Sequence, residues 1–398
     1  MRGQPVYLSA PGILCCAGSG GTQFYAAARE GVQSGIRPVT LPDGRSFLSG
    51  RIADKFLRPA AGGFDMRLLR IADAALEQIR ADIEGAAAAY GPDRIAVCVG
   101  SCDNGSECSL AAHKAYFADG FFPENYDLRI QGAAYPADFI ARKFGLSGPS
   151  AAVSTACASS AGAIVRAAEL IRAGWCDAAI AGGVDVASET VLLGFGSLEA
   201  VSETVCNPFS KNRSGITLGE GAAFFVVSRS DISGAGIELA GSGESSDAFH
   251  LTAPRADGGG AAAAMRSALA DAGMQPEEVG YINAHGTGTP LNDSMEALAL
   301  AAVFPKICEA PLVSSTKPIT GHTLGAAGAL ELALCWLTLC SSRRDASVPV
   351  HCWDGVYDQN MPALRFAGPG TCVKDLRACM SNSFAFGGCN TSLILKKN

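Results

Sequence analysis

Charge is scarce in this chain. Only 17% of its 398 residues are Asp, Glu, Lys or Arg, against 48% hydrophobic. That balance excludes a disordered chain and a coiled coil, both of which need many charges. Positive charge is scarcer still: 31 basic residues against 38 acidic ones give a net charge of −7. Nucleic-acid binding needs a basic face, so no nucleic-acid partner is expected. No clean apolar run reaches ~20 residues. The longest, 324–340, is broken by Glu331 and reads as a buried helix, so no membrane span is expected. The opening Met1-Arg2-Gly3-Gln4-Pro5 lacks the pattern of an export signal. Glycine is plentiful, with 47 residues, but has no G-X-Y period, which excludes collagen. No phosphate-binding Walker loop is present, and Gly18-Ser19-Gly20-Gly21 lacks the last glycine of a dinucleotide fingerprint.

The 15 cysteines are odd in number and scattered, often inside apolar runs. Without an export signal they read as reduced, small hydrophobes of a cytoplasmic protein. Cys98, Cys102 and Cys108 lie close together, but their spacing matches no zinc signature, and no metal is expected.

The length predicts two domains or one large duplicated fold. Buried-strand patterns at 94–100, 178–184, 221–227 and 279–283 alternate with helical patterns at 66–79, 158–173, 261–272, 294–303 and 325–339. This alternation predicts an α/β fold with helix-covered sheets. The short polar stretch 230–236 divides the chain into 1–235 and 236–398. Each half contains a strand, a Gly/Ser-rich turn and an Ala-rich helix, at 153–170 and 312–334.

Four segments can carry chemistry. In Val153-Ser154-Thr155-Ala156-Cys157-Ala158-Ser159-Ser160, a strand-like run meets a small-residue helix at Cys157. The positive end of that helix favours a thiolate, and small neighbours let a carbonyl approach the sulfur. A packed core cysteine is the alternative. In Asn283-Ala284-His285-Gly286-Thr287-Gly288-Thr289-Pro290, a strand runs into a histidine and a Gly/Thr loop. Only five histidines exist in the chain, and such a loop offers hydroxyls and backbone to a polar ligand; the alternative is a structural His. Asp293 reads as the start of the next helix, with Glu296 in its first turn. In the third segment, Lys317 and His322 stand at the mouth of another small-residue helix, and Glu331 on that helix is a partner for a buried Lys317. In the fourth, Ser381-Asn382-Ser383-Phe384-Ala385-Phe386-Gly387-Gly388, glycines let backbone N–H groups face a ligand. Together these groups suit acyl transfer: a Cys nucleophile, backbone N–H groups for the oxyanion and two imidazoles for a second carbonyl.

These segments resemble the elongating β-ketoacyl-acyl carrier protein synthases of the thiolase superfamily. The matching motifs are Thr155-Ala156-Cys157-Ala158-Ser159-Ser160, Asn283 to Pro290, Ser315-Thr316-Lys317-Pro318-Ile319-Thr320-Gly321-His322-Thr323-Leu324-Gly325, and Asn382 to Gly388. They occur in family order. Pro208 to Gly215, Leu218 to Ala222 and Ser245 to His250 match as well. The resemblance implies a thiolase-like duplicated αβαβα five-layered fold with Cys157 in the first half and the two His, Lys317 and Phe386 in the second. It implies that Cys157 is acylated, that His285 and His322 assist decarboxylation of malonyl-carrier protein, and that Lys317 with Glu331 orders the site. Backbone N–H groups of Cys157 and Phe386 would form the oxyanion hole, with Phe386 as gate, and Thr287 and Thr289 would contact the phosphopantetheine arm. Arg67, Arg70, Lys211 and Arg213 would dock the acidic acyl carrier protein. No cofactor is expected beyond the 4'-phosphopantetheine carried by that substrate. A dimer is implied, either a homodimer or a heterodimer with a chain-length-factor-like paralogue. The pathway is either fatty-acid elongation or polyketide/aryl-polyene-type elongation. The alternatives are a non-catalytic chain-length-factor-like subunit, which usually lacks the nucleophile, and a carrier-protein-binding scaffold. Ala385 stands where the family usually has Gly, and Cys389 where Thr is usual.

Overall fold

The computed structural model describes residues 4–60, 65–103, 105–124, 126–306, 309–341 and 344–398. Met1, Arg2 and Gly3 of the opening segment lie outside the described residues.

Two sets of five strands repeat one topology. In the first set, Ile95–Gly100 lies parallel to Ser150–Val153 on one side and to Ala178–Asp185 on the other. Gly221–Ser228 then runs antiparallel to Ala178–Asp185, and Gly12–Cys15 antiparallel to Gly221–Ser228. In the second set, Tyr281–Asn283 lies parallel to Leu312–Ser314 and to Ala378–Phe384. Cys389–Lys397 is antiparallel to Ala378–Phe384, and Ile237–Ser246 antiparallel to Cys389–Lys397. Numbered within its own half, each sheet has the order 3-2-4-5-1. Tyr7–Leu8 joins the sets at one edge, pairing with both Gly221–Ser228 and Ile237–Ser246.

Strand alternation sorts side chains into layers. On Ala178–Asp185 and Gly221–Ser228, Ala179, Ala181, Ala223, Phe225 and Val227 face an inner core that also holds the helices Ser159–Arg172 and Ala327–Ser341. Their neighbours Ala178, Ile180, Ala222, Phe224 and Val226 face the opposite way, into a second core with the helices Arg67–Leu76 and Tyr135–Phe144. Helices Gly259–Ala272 and Pro290–Val303 cover the outer face of the other sheet in a third core. The result is five layers, α-β-α-β-α, the thiolase-like fold.

The central helices are small-residue helices because they meet each other and two sheets at once. A Cβ on Gly328 would come within 2.8 Å of the Ala161 methyl, and one on Gly100 within 2.2 Å of the Ser160 backbone nitrogen. The apolar stretch 324–341 is therefore an interior helix, 83% buried. Expected elements recur with shifted ends. The 294–303 helix begins four residues earlier, at Pro290, where proline suits the first turn because its missing N–H has no intrahelical partner there. The 66–79 helix becomes Arg67–Leu76 followed by the 3-10 turn Glu77–Ile79.

Candidate active site

The duplication places matching turns face to face. In each half a 3-10 turn opens the central helix: Ala156–Ala158 after the strand Ser150–Val153 in one, and Leu324–Ala326 after the short helix Lys317–Thr320 in the other. Each turn starts with a residue in the left-handed region, Ala156 at φ 48° and Leu324 at φ 51°. Such conformations cost a non-glycine residue about 1–3 kcal/mol and cluster at functional sites. The first turn holds Cys157; the second follows His322.

The Sγ of Cys157 lies 3.0 Å from Nε2 of His322. The Leu324 backbone N–H donates to His322 Nδ1 at 3.2 Å. A backbone N–H can only donate, so the neutral ring carries its proton on Nε2, aimed at the sulfur. His285 sits with its ring centroid 5.4 Å from that of His322, edge to face. Lys317 Nζ is 3.4 Å from His285 Nδ1 and also donates to the His285 carbonyl. The ammonium has no acceptor capacity, so His285 likewise carries its proton on Nε2. Burial first, then the Lys317 charge, pushes both histidines well below their ordinary range. Two neutral imidazoles thus offer Nε2–H donors. One donor atom from each of Cys157, His285 and His322 lies within 4.8 Å of the other two.

Lys317 is only 1% exposed and donates to Glu331 Oε1 at 2.5 Å. Burial raises the Glu331 carboxyl to about 7, against the lowering effect of Lys317. Burial pushes the Cys157 thiol up to about 11, opposed by the Lys317 charge and by the Phe386 backbone N–H, which donates to the sulfur. Phe386 itself is half-exposed and stacks on Phe195, with centroids 6.0 Å apart. Ala385 has ordinary extended dihedrals, φ −109° and ψ 157°, so its Cβ is accommodated without strain. A cavity of about 300 Å³ leads from Cys157 past His285, His322, Thr287, Thr289 and Phe386.

Three buried acids hold this arrangement, and sequence reasoning missed their part. Glu296 accepts the backbone N–H groups of His285 at 2.8 Å and Gly286 at 2.7 Å. Asp293 accepts those of Phe209, Thr287 and Gly288. In sequence Asp293 reads as a helix start with Glu296 in its first turn; the helix turns both inward against the histidine loop. The available signal was their spacing of three on a largely apolar helix directly after that loop. Asp185 ties the halves together. It accepts Gly325 N–H at 2.5 Å from one half, and Cys102 N–H, Asp103 N–H and the Ser101 hydroxyl from the other. Burial raises Asp185 to about 7 and Glu296 to about 8.

The site geometry agrees with what the sequence matches. The family model described as Beta-ketoacyl synthase, N-terminal domain, matches residues 64–232, and that described as Beta-ketoacyl synthase, C-terminal domain, matches residues 237–348. The chain belongs to the β-ketoacyl synthase family. It is an acyltransferase that catalyses β-ketoacyl condensation. Its similar relatives include a 3-oxoacyl-[acyl-carrier-protein] synthase 2 of Vibrio cholerae, 36% identical over 324 residues, covering 76% of each chain. Another of that name from Staphylococcus aureus is 34% identical over 319 residues, or 77% of this chain and 75% of that one. Among solved structures, a ketosynthase in complex with its chain length factor from Xenorhabdus doucetiae superposes with a TM-score of 0.87. It is 37% identical, covering 99% of this chain and 98% of that one. The ishigamide ketosynthase/chain length factor superposes with a TM-score of 0.85 at 28% identity, covering both chains fully.

The expected docking cations fare differently in this synthase. Arg67 is turned inward: it pairs with the fully buried Glu220 at 2.5 Å and with Asp54 at 2.7 Å. Arg213, 7% exposed, pairs with Asp358 at 2.7 Å and donates to the Ser294 hydroxyl. Both are structural ion pairs rather than free surface charge, because a buried guanidinium requires a carboxylate. Arg70 pairs with Asp65 at 2.6 Å on the surface. Lys211 is exposed.

Proposed function

We propose that Cys157 is the acylated nucleophile of this synthase and that His285 and His322 drive the decarboxylative half of the reaction. The observation that carries this reading is the 3.0 Å approach of His322 Nε2 to Cys157 Sγ, with the Nε2 proton set by the Leu324 N–H. The Cys157 thiol gives up its proton as its sulfur attacks the acyl thioester carbon, the bond from that carbon to the carrier's sulfur breaks, and the carrier leaves as a thiol with the proton Cys157 released. The malonyl thioester then loses carbon dioxide. The electron pair moves onto the thioester, whose enolate oxygen is held by the two Nε2–H donors. The enolate carbon attacks the acyl carbon, the bond to Cys157 breaks, its sulfur takes up a proton from water, and a two-carbon-longer β-ketoacyl thioester leaves on the carrier. Phe386 N–H, already aimed at the sulfur, and Cys157 N–H supply the oxyanion hole. Lys317 and Glu331 act as positioning residues for His285, and the Phe386 ring acts as the gate. Thr287 and Thr289, whose hydroxyls lie 3.0 Å apart at the cavity wall, contact the phosphopantetheine arm. No cofactor or metal takes part: the positive Lys317 beside His285 disfavours a cation among the three donors.

The chain divides near residue 235, with the nucleophile before it and the histidines after it. The acyl carrier protein delivers both substrates. The second subunit is a like-folded chain, either a copy or a chain-length-factor-like paralogue. An exposed aromatic cluster of Tyr116, Phe117 and Phe122 supports such a partner. The described cysteines are all free thiols, which supports a reducing compartment, the cytoplasm. The intact Cys157, His285, His322 and Lys317 favour a catalytic subunit over a non-catalytic chain-length-factor-like partner or a scaffold. Intact-mass spectrometry tests this. An acyl adduct on Cys157 should form from acyl-carrier protein and vanish on malonyl-carrier addition, and Cys157→Ala should abolish condensation. Condensation retained by Cys157→Ala would sink the mechanism.

A further inference from the structure

Of the five histidines, two lie at Cys157 and two, His113 and His250, are exposed. The fifth, His351, is 4% exposed and lies off the cavity that leads to Cys157. Its ring stacks on Phe366, with centroids 4.2 Å apart. The Ser315 N–H donates to His351 Nδ1 at 3.2 Å. Nε2 therefore carries the proton, and it donates to the Pro208 carbonyl at 3.2 Å. Burial pushes the ring down to about 3, against the Pro208 carbonyl, so at neutral pH Nδ1 stays an acceptor.

Ser315 is where this ring reaches the histidine loop. The Ser315 hydroxyl donates to the Gly286 carbonyl at 2.6 Å and accepts the Lys317 N–H at 3.4 Å. Lys317 Nζ donates to the preceding carbonyl, that of His285. Glu296 holds the N–H groups of the same two residues. The contact has no slack, since a Cβ on Gly286 would lie 2.5 Å from the Ser315 Cβ. Nε2 ties down the other flank: Phe209, next to Pro208, donates its N–H to Asp293 at 2.7 Å.

We infer that His351 is a positioning residue for malonyl decarboxylation: by accepting the Ser315 N–H it sets residues 315–317 against the backbone of His285 and Gly286, and so holds Lys317 Nζ at His285 Nδ1. This rests on the reading of His285 as an Nε2–H donor to the enolate. Without that acceptor the buried Ser315 N–H is left without its partner, which a protein interior disfavours, and the segment shifts to find another. A misplacement of about 1 Å arising far from the chemistry can cost about 10²-fold in rate.

Two amide side chains separate the work of the two ring nitrogens. Asn carries its oxygen as many bonds from Cα as Nδ1, and Gln carries its nitrogen as many as Nε2. His351→Asn therefore keeps an acceptor for Ser315, and His351→Gln keeps a donor for Pro208. Both lose the stack on Phe366, so Tm should fall alike. The assay is carbon dioxide release from a malonyl-loaded acyl carrier protein. His351→Gln and His351→Leu should lower kcat about tenfold or more, with KM within about twofold. His351→Asn should stay within about threefold of the unmodified chain. Equal loss in His351→Asn and His351→Gln, full rate in His351→Gln, or rates that follow Tm across the variants would each overturn the proposal. Should His351→Leu fail to fold, the other two variants decide alone. A His285→Ala variant that decarboxylates as fast as the unmodified chain would overturn the reading beneath, and this proposal with it.

Discussion

Replacing Lys317 by Met keeps the length of the side chain and removes its charge. Lys317 is buried and serves three acceptors: Glu331 Oε1, the His285 carbonyl and His285 Nδ1. Removing one member of a buried pair costs about 3–5 kcal/mol when a bare charge is left behind. Here the cost is limited, because burial already raises Glu331 to about 7, and without Lys317 it goes higher and keeps its proton. What remains is the loss of hydrogen bonds involving charged groups, about 1.5–3 kcal/mol each. A total of about 3–6 kcal/mol follows for the two strongest of them. Residue-average unfolding entropy for a chain of 398 residues is about 0.8 kcal/mol/K, so Tm should fall by roughly 4–7 °C near neutral pH.

The pH dependence has a definite sign. The folded pKa of Glu331 lies above its unfolded value, so the folded state holds the extra proton between pH 4.5 and about 7. In the unmodified protein this contribution to stability is present below that window and is lost as pH rises through it. In Lys317→Met the window extends above pH 7, so the Tm gap should widen from pH 7 toward pH 9. Differential scanning calorimetry across pH measures it, and iodoacetamide labelling follows the thiol. Alkylation of Cys157 should shift to higher pH, because Lys317 lowers the thiol. A Tm gap constant from pH 6 to 9, with an unshifted alkylation profile, would refute the coupling of Lys317 to both groups.

Two further outcomes follow from the same geometry. His285→Ala and His322→Ala should each slow malonyl decarboxylation about 10²–10³-fold, the usual loss for one donor to a developing oxyanion, while acylation of Cys157 falls far less; equal loss of both steps, measured by carbon dioxide release and adduct mass, would contradict the division of labour. Gly325→Ala should destabilise the junction of the halves by about 1–3 kcal/mol, since its Cβ would lie 2.7 Å from Asp185 Oδ2 and 2.8 Å from the Cys102 nitrogen; unchanged Tm and unchanged adduct formation would show that the junction yields without effect on the site.

Much of the site was legible because its signals are local. Cys157 sits where an apolar strand meets a small-residue helix, His285 follows a strand into a Gly/Thr loop, and His322 stands in a Gly-containing segment at the mouth of a second small-residue helix. Periodicity alone separates such strand-turn-helix joins from their surroundings. The strand, turn and helix shared by 153–170 and 312–334 hint at duplication but form no sequence repeat that stands alone; each central helix is built of small residues because it packs between two sheets.

Tertiary structure decided the rest. Burial cannot be read from the type of a charged residue. Arg67 and Arg213 looked like surface charge, yet Glu220 and Asp358, far away in sequence, draw them inward. Glu296 and Asp293 looked like an ordinary helix start, but the helix turns them onto the backbone of the histidine loop. The pairing of Cys157 with His322 spans 165 residues. Only the docking of the two halves, with Asp185 tying Gly325 to the loop at 101–103, brings sulfur and imidazole within bonding reach. The residue types that can do the chemistry are therefore set by sequence. Their distances, proton positions and pKa shifts depend on partners that only the folded chain brings near, in an interior where burial penalises charge.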